Sequence, residues 1–416
     1  MPTHLSTALA PFGTTIFATM TRLAQQHGAI NLAQGFPDFD GPAFIKHAAK
    51  EAIDREENGA NQYAPLPGIP ALRHAIADRF TADTGLACDP DSQVVVTAGC
   101  TEAIAAALLG LLNPGDEVIL FEPFYDSYRA VVAMAGAVPR TVALAAPSAA
   151  LHGPAVESIG TRGGAIIKAP FTFDLAVLRA AITPRTRVLM LNTPHNPTGK
   201  VFTHAELSDI AALCIRHNLI VISDEVYERL TFDQRAHIPI ASLPGMAERT
   251  LTLSSLGKTF SLTGWKVGWA VGPAPLIDAL RAAHQFLTFS VATPLQHAAA
   301  IALKREPEAV PELVALLSAN RQRLAPVLAE AGLRVFLPEG TYFIMADHTL
   351  VSQRLGISGD RAFCQRLVEG CRIAAIPPGV FYQNPASGAP LVRFAICKKR
   401  ATIDEAIARL ATLNSL

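Results

Sequence analysis

A lysine, a carboxylate, an arginine and two turns stand out in this chain because of where they fall. The stretch SSLGKTFSLTGWKVGW (254–269) carries Lys258 just after a β-rich run, with Lys266 eight residues on. Gly257-Lys258-Thr259 looks like the end of a phosphate-binding P-loop. That loop also needs a glycine five residues before the glycine of Gly-Lys, and Thr252 stands there, so the backbone nest cannot form. Lys258 is then either a covalent catalyst or an ordinary surface lysine. In LIVISDEVYERL, Asp224 follows four apolar residues and a serine, with Tyr227 three positions later. A carboxylate at the end of a buried strand needs a partner, which a protonated aromatic nitrogen, a helix cap or an ion pair would supply.

Two turns and an arginine complete the set. LNTPHNPTGKVF stops a strand in Asn192-Thr193-Pro194 and Asn196-Pro197-Thr198-Gly199, and the two prolines hold Asn196 rigidly. VVVTAGCTEAI leads Gly99, Cys100 and Thr101 into a helix whose first amides suit a phosphate monoester, or which needs the glycine only for its turn. LVRFAICK puts Arg393 inside an apolar strand. A buried guanidinium there has either an internal acidic partner or an anionic substrate, held through a bidentate fork.

These residues need a frame. From about residue 90 the chain alternates strand-like and helix-like text: QVVVT, then TEAIAAALLGLL; EVILFEP; RVLMLNTP, then THAELSDIAALCIRHN; LIVISDE; RTLTLSSLG. Such alternation predicts βα units and a mostly parallel sheet covered on both faces, with ligands beyond the carboxyl ends of its strands. Long helical text around 274–332 is followed by RVFLPEGTYFIMAD, CRIAAIPPGVFY and APLVRFAICK, the strands of a separate α+β unit, and then by the helix TIDEAIARLATL. The expected organisation is an N-terminal arm (1–45), a large domain (46–290) and a smaller C-terminal domain (291–416). The small-residue-rich run 141–170 is expected to be mostly a surface excursion.

Composition narrows the class. The chain has 416 residues, half of them hydrophobic, and 35 basic residues balance 35 acidic ones, so no nucleic-acid or membrane-surface footprint is present. No apolar run matches a membrane span, and the N-terminus lacks the charged and apolar regions of a signal peptide. The six cysteines form no Cys-x-x-Cys pair and the histidines no ligand cluster. No metal site is expected, and a reducing cytoplasm is the expected home.

Taken together, a lysine for an aldehyde, a carboxylate for an aromatic nitrogen, an amide for a phenolic oxygen and a turn for a phosphate describe a site for pyridoxal 5′-phosphate. Through INLAQGFPDFDGP, NQYAPLPGIPALR, TAGCTEAI, NTPHNPTG, ISDEVYE, SSLGKTFSLTGWKVGW, EGTYFIMAD and VRFAICK, the chain resembles a class I/II pyridoxal-phosphate aminotransferase of fold type I. The wording is nearest the branch with kynurenine aminotransferase, glutamine transaminase K and bacterial methionine aminotransferase. The resemblance implies that Lys258 bonds the cofactor and moves the substrate proton. It implies Asp224 on the pyridinium nitrogen, Asn196 and Tyr227 on the phenolic oxygen, and Tyr125 (or Phe124) stacked on the ring. Gly99, Cys100, Thr101, Ser255 and Lys266 would hold the phosphate, and Tyr63 would reach the phosphate of a neighbouring subunit, making an obligate homodimer. Arg393 would clamp the substrate α-carboxylate with a Gly35 amide. Ile16, Phe17 and Phe36, with residues near Phe289 of a neighbour, would line the side-chain pocket.

Kynurenine-specific members carry an aromatic residue in the place of Thr101; GCTEA is nearer the bacterial methionine type. The pocket segments FGTTIF and FLTFSVATP hold no second arginine, so the expected donors are apolar, sulfur-containing or aromatic. Three other readings are weighed: a C–S β-lyase on the same residues, an aminotransferase for an acylated diaminopimelate, and a non-enzymatic regulator. The last is disfavoured because only about thirty residues precede NLAQGFPDF.

Overall fold

The computed structural model describes residues 6–56, 59–147 and 154–415. β-Branched and aliphatic runs build a seven-stranded sheet. In spatial order its strands are Val94–Thr97, Gly268–Val271, Thr250–Ser255, Ile220–Asp224, Thr186–Asn192, Glu117–Glu122 and Val138–Ala143. Gly268–Val271 runs antiparallel to both neighbours and every other pairing is parallel. The central strands are buried on both faces, as a helix-covered parallel sheet requires: Leu189, Leu191, Val221, Ile222, Leu251 and Leu253 are closed to solvent.

Because the strands run in parallel, their carboxyl ends fall on one edge. The chain leaves that edge at Thr97, Glu122, Asn192, Asp224 and Ser255, and the segments that carry chemistry begin there. Helix Gly99–Leu111 packs closely on helix Ala274–Leu287. The contact relies on Gly110, where a Cβ would meet the Ala279 carbonyl oxygen at 2.0 Å.

A second, five-stranded sheet has the order Leu391–Ala395, Phe343–Asp347, Arg334–Phe336, Gly164–Ile167, Val156–Ile159. Its last two strands correct the expectation for 141–170. Rather than a surface excursion, that region first completes the edge strand of the large sheet. It then returns as a hairpin whose inner strand, Gly164–Ile167, is buried and pairs in parallel with Arg334–Phe336. A cut at residue 290 would therefore separate this hairpin from the sheet it belongs to. Residues 148–153 of the run lie outside the described residues. The N-terminal arm joins the C-terminal region through a short parallel pairing of Ile30–Asn31 with Ile373–Ala374. Helix Ile16–His27, capped by the Thr15 hydroxyl on the Ala18 amide, brings the arm to the cleft. Among the described residues no helix is long and apolar enough to cross a membrane.

Gly164 tests the hairpin. A Cβ there would meet the Ala329 carbonyl oxygen of helix Glu306–Glu330 at 1.8 Å, with backbone and not a movable side chain on the other side. Gly164→Ala should destabilise the protein by about 1–3 kcal/mol, read as a fall in the denaturation midpoint. An unchanged midpoint would show that the hairpin is not integral to the second sheet.

Candidate active site

At the carboxyl edge of the large sheet, residues from five strand ends line one cleft. Its walls include Gly99, Thr101, Tyr125, Asn196, Asp224, Tyr227, Ser255, Lys258 and Lys266. All of these were expected from the sequence, and the fold brings them together.

One wall is an anion-binding turn. Gly99 sits at φ +77° and opens helix Gly99–Leu111, so the first amides of that helix face the cleft without helical partners. Lys266, itself left-handed at φ 52°, places Nζ 3.4 Å from the Thr101 hydroxyl. The turn is pressed from below by the antiparallel strand: a Cβ on Gly268 would meet the Gly99 carbonyl carbon at 2.5 Å. Glu102, in the first turn of the helix, is directed away from the cleft. Its carboxylate takes the Ala98 amide and, 2.6 Å away, the Nδ1 of buried His284. The positive end of the helix thus remains free for a ligand anion.

A buried carboxylate forms the floor. Asp224 is 4% exposed, and its Oδ2 accepts from the Tyr128 hydroxyl at 2.5 Å. Its Oδ1 accepts from the Val226 amide (3.3 Å) and the Cys100 thiol (3.6 Å). Burial pushes this carboxyl above the usual range, against the lowering effect of those hydrogen bonds and of the Lys258 charge. No ion pair joins Asp224 among the described residues, so a cationic ring nitrogen is the kind of group this carboxylate lacks. Behind it, the Asn192 side chain ties the strand end to the proline turn. Its amide donates to the Asp224 carbonyl at 2.8 Å, and its oxygen accepts the Asn196 amide at 2.7 Å.

Lys258 faces this floor. Its Nζ donates to the Tyr342 hydroxyl at 2.8 Å and more weakly to the Gly35 carbonyl at 3.4 Å; Tyr342 donates to that same carbonyl at 2.5 Å. Burial lowers the ammonium pKa to about 8. Cys397 and Asp224 oppose the shift, while Arg393 and Lys266 reinforce it. A lysine so placed is neutral often enough near neutral pH to attack an aldehyde and to carry a proton.

Arg393 closes the cleft. It is 2% exposed and forms no ion pair among the described residues. One nitrogen donates to the Ala33 carbonyl at 3.0 Å and another to the Asn196 side-chain oxygen at 3.3 Å, while Nε has no partner. Phe343 stacks at 4.0 Å from the guanidinium carbon, with Phe381 at 5.3 Å and Phe17 at 5.5 Å. Burial pulls its pKa down to about 10, the mark of a cation held without enough counter-charge.

Other expected residues sit differently. Tyr125 lines the cleft, its hydroxyl pushed up to about 12 by burial, whereas Phe124 is packed into the core with its amide on the Phe381 carbonyl. Gly35 contributes its carbonyl to Lys258 and Tyr342. It has no room for a side chain, since a Cβ would lie 2.6 Å from the Phe343 ring. Phe36 is half exposed under the Lys398 ammonium, 5.2 Å from its ring centre. Tyr63 lies outside the cleft of its own chain, 84% exposed and edge-on to Phe289 at 5.5 Å. Sequence reasoning missed Tyr128 and Tyr342. Only the 125/128 spacing in FYDSY signalled the first, and only the fold brings the second to Lys258.

The groups fit pyridoxal phosphate. A cationic amide turn suits its phosphate, an unpaired buried carboxylate its ring nitrogen, and a lysine of lowered pKa its aldehyde. Comparison with known proteins agrees. A family model described as aminotransferase class I and II matches residues 27–410. A probable N-succinyldiaminopimelate aminotransferase of Mycobacterium tuberculosis is 48% identical over 414 residues, covering 97% of each chain. Methionine aminotransferase of Escherichia coli is 41% identical over 405 residues, also covering 97% of each. The solved structure of N-succinyldiaminopimelate aminotransferase from M. tuberculosis superposes with a TM-score of 0.89 at 47% identity, covering 98% of this chain and 100% of that one.

Tyr128 gives the floor its test. Removing a hydrogen bond to a buried charge costs about 1.5–3 kcal/mol. Tyr128→Phe should therefore keep the fold and bind pyridoxal phosphate roughly tenfold to a hundredfold more weakly, measured by titrating the apoprotein and following absorbance. Unaltered affinity would remove Tyr128 from the site.

Proposed function

The chain belongs to the class I and II aminotransferases, which depend on pyridoxal phosphate, and from that premise we propose that it exchanges the amino group of an L-amino acid with a 2-oxo acid, using the residues of this cleft. Bound pyridoxal phosphate supplies the aldehyde that takes the amino group and the ring that withdraws electrons from the substrate α-carbon. The first amides of helix Gly99–Leu111 at Gly99, Cys100 and Thr101, with Ser255 and Lys266, would hold its phosphate. Asp224 would hold its ring nitrogen in the protonated form. Asn196 and Tyr227 would bind the phenolic oxygen, and Tyr125 would cover the ring.

The observation that carries the reading is Arg393: a buried guanidinium with no acidic partner, in the same cleft as a lysine of lowered pKa. A substrate α-carboxylate would complete its hydrogen bonding and fix the α-carbon toward Lys258. Lys258, held in place by Tyr342 and the Gly35 carbonyl, would be the group that takes the substrate α-proton and carries it. The aromatic wall of Phe17, Phe343 and Phe381 keeps water from the guanidinium.

For the donor, an N-acylated diaminopimelate is placed first, supported by the 48% identity to a protein named for that substrate. Sulfur-containing and aromatic donors are the second reading, favoured by the apolar wall and by the 41% identity to methionine aminotransferase. The C–S β-lyase shares every residue named and is separated by its products, pyruvate and a thiol.

Arg393→Gln should lower kcat/KM by about 100-fold with any α-amino acid donor, because one partner of a desolvated charge pair is lost. Stopped-flow conversion of the bound cofactor to its amino form by single amino acids, without oxo acid, reads this directly. Conversion by the variant at the wild-type rate would refute the α-carboxylate role, and pyruvate release without amino transfer would favour the lyase.

We further propose a homodimer. Tyr63 is 84% exposed and edge-on to the 47% exposed Phe289, and Phe286, three residues earlier in the sequence, is 87% exposed; these are apolar side chains that a second copy would cover. Tyr63 would then reach the neighbour's phosphate turn. Light scattering should give twice the chain mass, and Phe286→Asp should shift the population toward monomer; a wild-type monomer would rule the dimer out.

A further inference from the structure

Beside the cleft lies a second cavity of about 510 Å³. It shares Tyr125 with the cleft and reaches outward between three elements: the N-terminal arm at residues 11–16, helix Asp126–Met134 and helix Asp360–Arg366. Two arginines line it, Arg129 and Arg361. Arg129 stands one helical turn beyond Tyr125, on the same face, and its guanidinium lies 5.6 Å from the centre of the Phe12 ring. Neither arginine forms an ion pair among the described residues.

The acids nearby make no ion pair with either guanidinium among the described residues, although the Arg129 charge acts on the Glu122 carboxyl. Glu122 accepts the Gln383 amide at 2.8 Å, and Asp360 accepts the amides of Arg361 (2.8 Å) and Gly379 (2.6 Å). Asp126, also on the cavity wall, sits at its inner end, where the charge of Arg393 acts on its carboxyl. The cavity therefore runs outward from Tyr125, which it shares with the cleft, and from Asp126, whose carboxyl feels the Arg393 charge, to a cationic outer end. A donor as short as methionine has nothing to offer two guanidinia there. Both are explained by a donor whose α-carboxylate sits on Arg393 and whose long side chain ends in carboxylates.

We propose that Arg129 and Arg361 form a specificity subsite for the distal carboxylates of an N-acylated diaminodicarboxylate donor. This rests on the donor placed first under the proposed function. It also locates the second arginine that the pocket segments FGTTIF and FLTFSVATP lack: the cations come from two helices outside those segments.

The test compares three donors, N-succinyl-L,L-diaminopimelate, its N-acetyl counterpart and methionine, with the holoenzyme, Arg129→Gln, Arg361→Gln and the double variant. The double variant should raise KM for the succinyl donor roughly tenfold or more and should raise it less for the acetyl donor, which has one carboxylate fewer. Methionine does not reach the outer cavity, so its KM should move by less than about twofold, and its turnover reports that each variant is folded. Arg129→Lys with Arg361→Lys, which keeps the charge, should recover part of the succinyl affinity. Equal effects on succinyl donor and methionine, or none on either, would overturn the subsite while leaving the donor class intact. A wild-type enzyme that consumes methionine but neither acylated donor would overturn the donor class, and the subsite with it.

Discussion

Two opposite charges, buried without partners of their own, set the terms for this protein. Asp224 and Arg393 face one cleft from different sheets, and neither is neutralised by an ion pair among the described residues. The protein stabilises each only in part, with a tyrosine hydroxyl, a thiol and an amide on Asp224, and with a carbonyl, an amide oxygen and aromatic faces on Arg393. Burying an incompletely paired charge costs stability, and completing the pairing with a ligand recovers it. A cleft built this way suits a ligand with a cationic ring nitrogen and a substrate with a carboxylate, as proposed for Asp224 and Arg393.

The rest of the architecture holds these charges apart and in register. Parallel pairing of Thr186–Asn192 with Ile220–Asp224 lets Asn192 bond across to the Asp224 carbonyl and grip the Asn196 turn. The antiparallel strand Gly268–Val271 supports the anion-binding turn from beneath, where only a glycine fits. Lys258 lies between positive and negative neighbours, and burial decides its low proton affinity.

Much of this was legible in the residue text, because the strongest signals are local. Asp224 at a strand end, Asn196 between prolines and Gly99 before a helix each carry their conformational reason in adjacent residues. Tyr128 gave little sign, because a tyrosine in FYDSY looks like any aromatic turn residue until the helix aims its hydroxyl at Asp224 across 96 positions of sequence. Tyr342 meets Lys258 across 84 positions. The hairpin Val156–Ile159 and Gly164–Ile167 was misread as surface because short, small-residue strands lack the alternation of a half-buried sheet, and Gly164–Ile167 is buried on both sides.

Periodicity and turn chemistry in the residues alone were enough to establish a parallel α/β sheet, its ligand-binding edge, and a lysine, carboxylate and arginine destined for it, since each depends on neighbours within a few positions. Tertiary structure alone decided the hydroxyl on Asp224, the hydroxyl on Lys258, the lack of an ion pair on Arg393 among the described residues and the arginine pair at the outer cavity. Those depend on contacts between segments far apart in the chain, and burial, which sets the energy of every charge involved, exists only once those segments have packed.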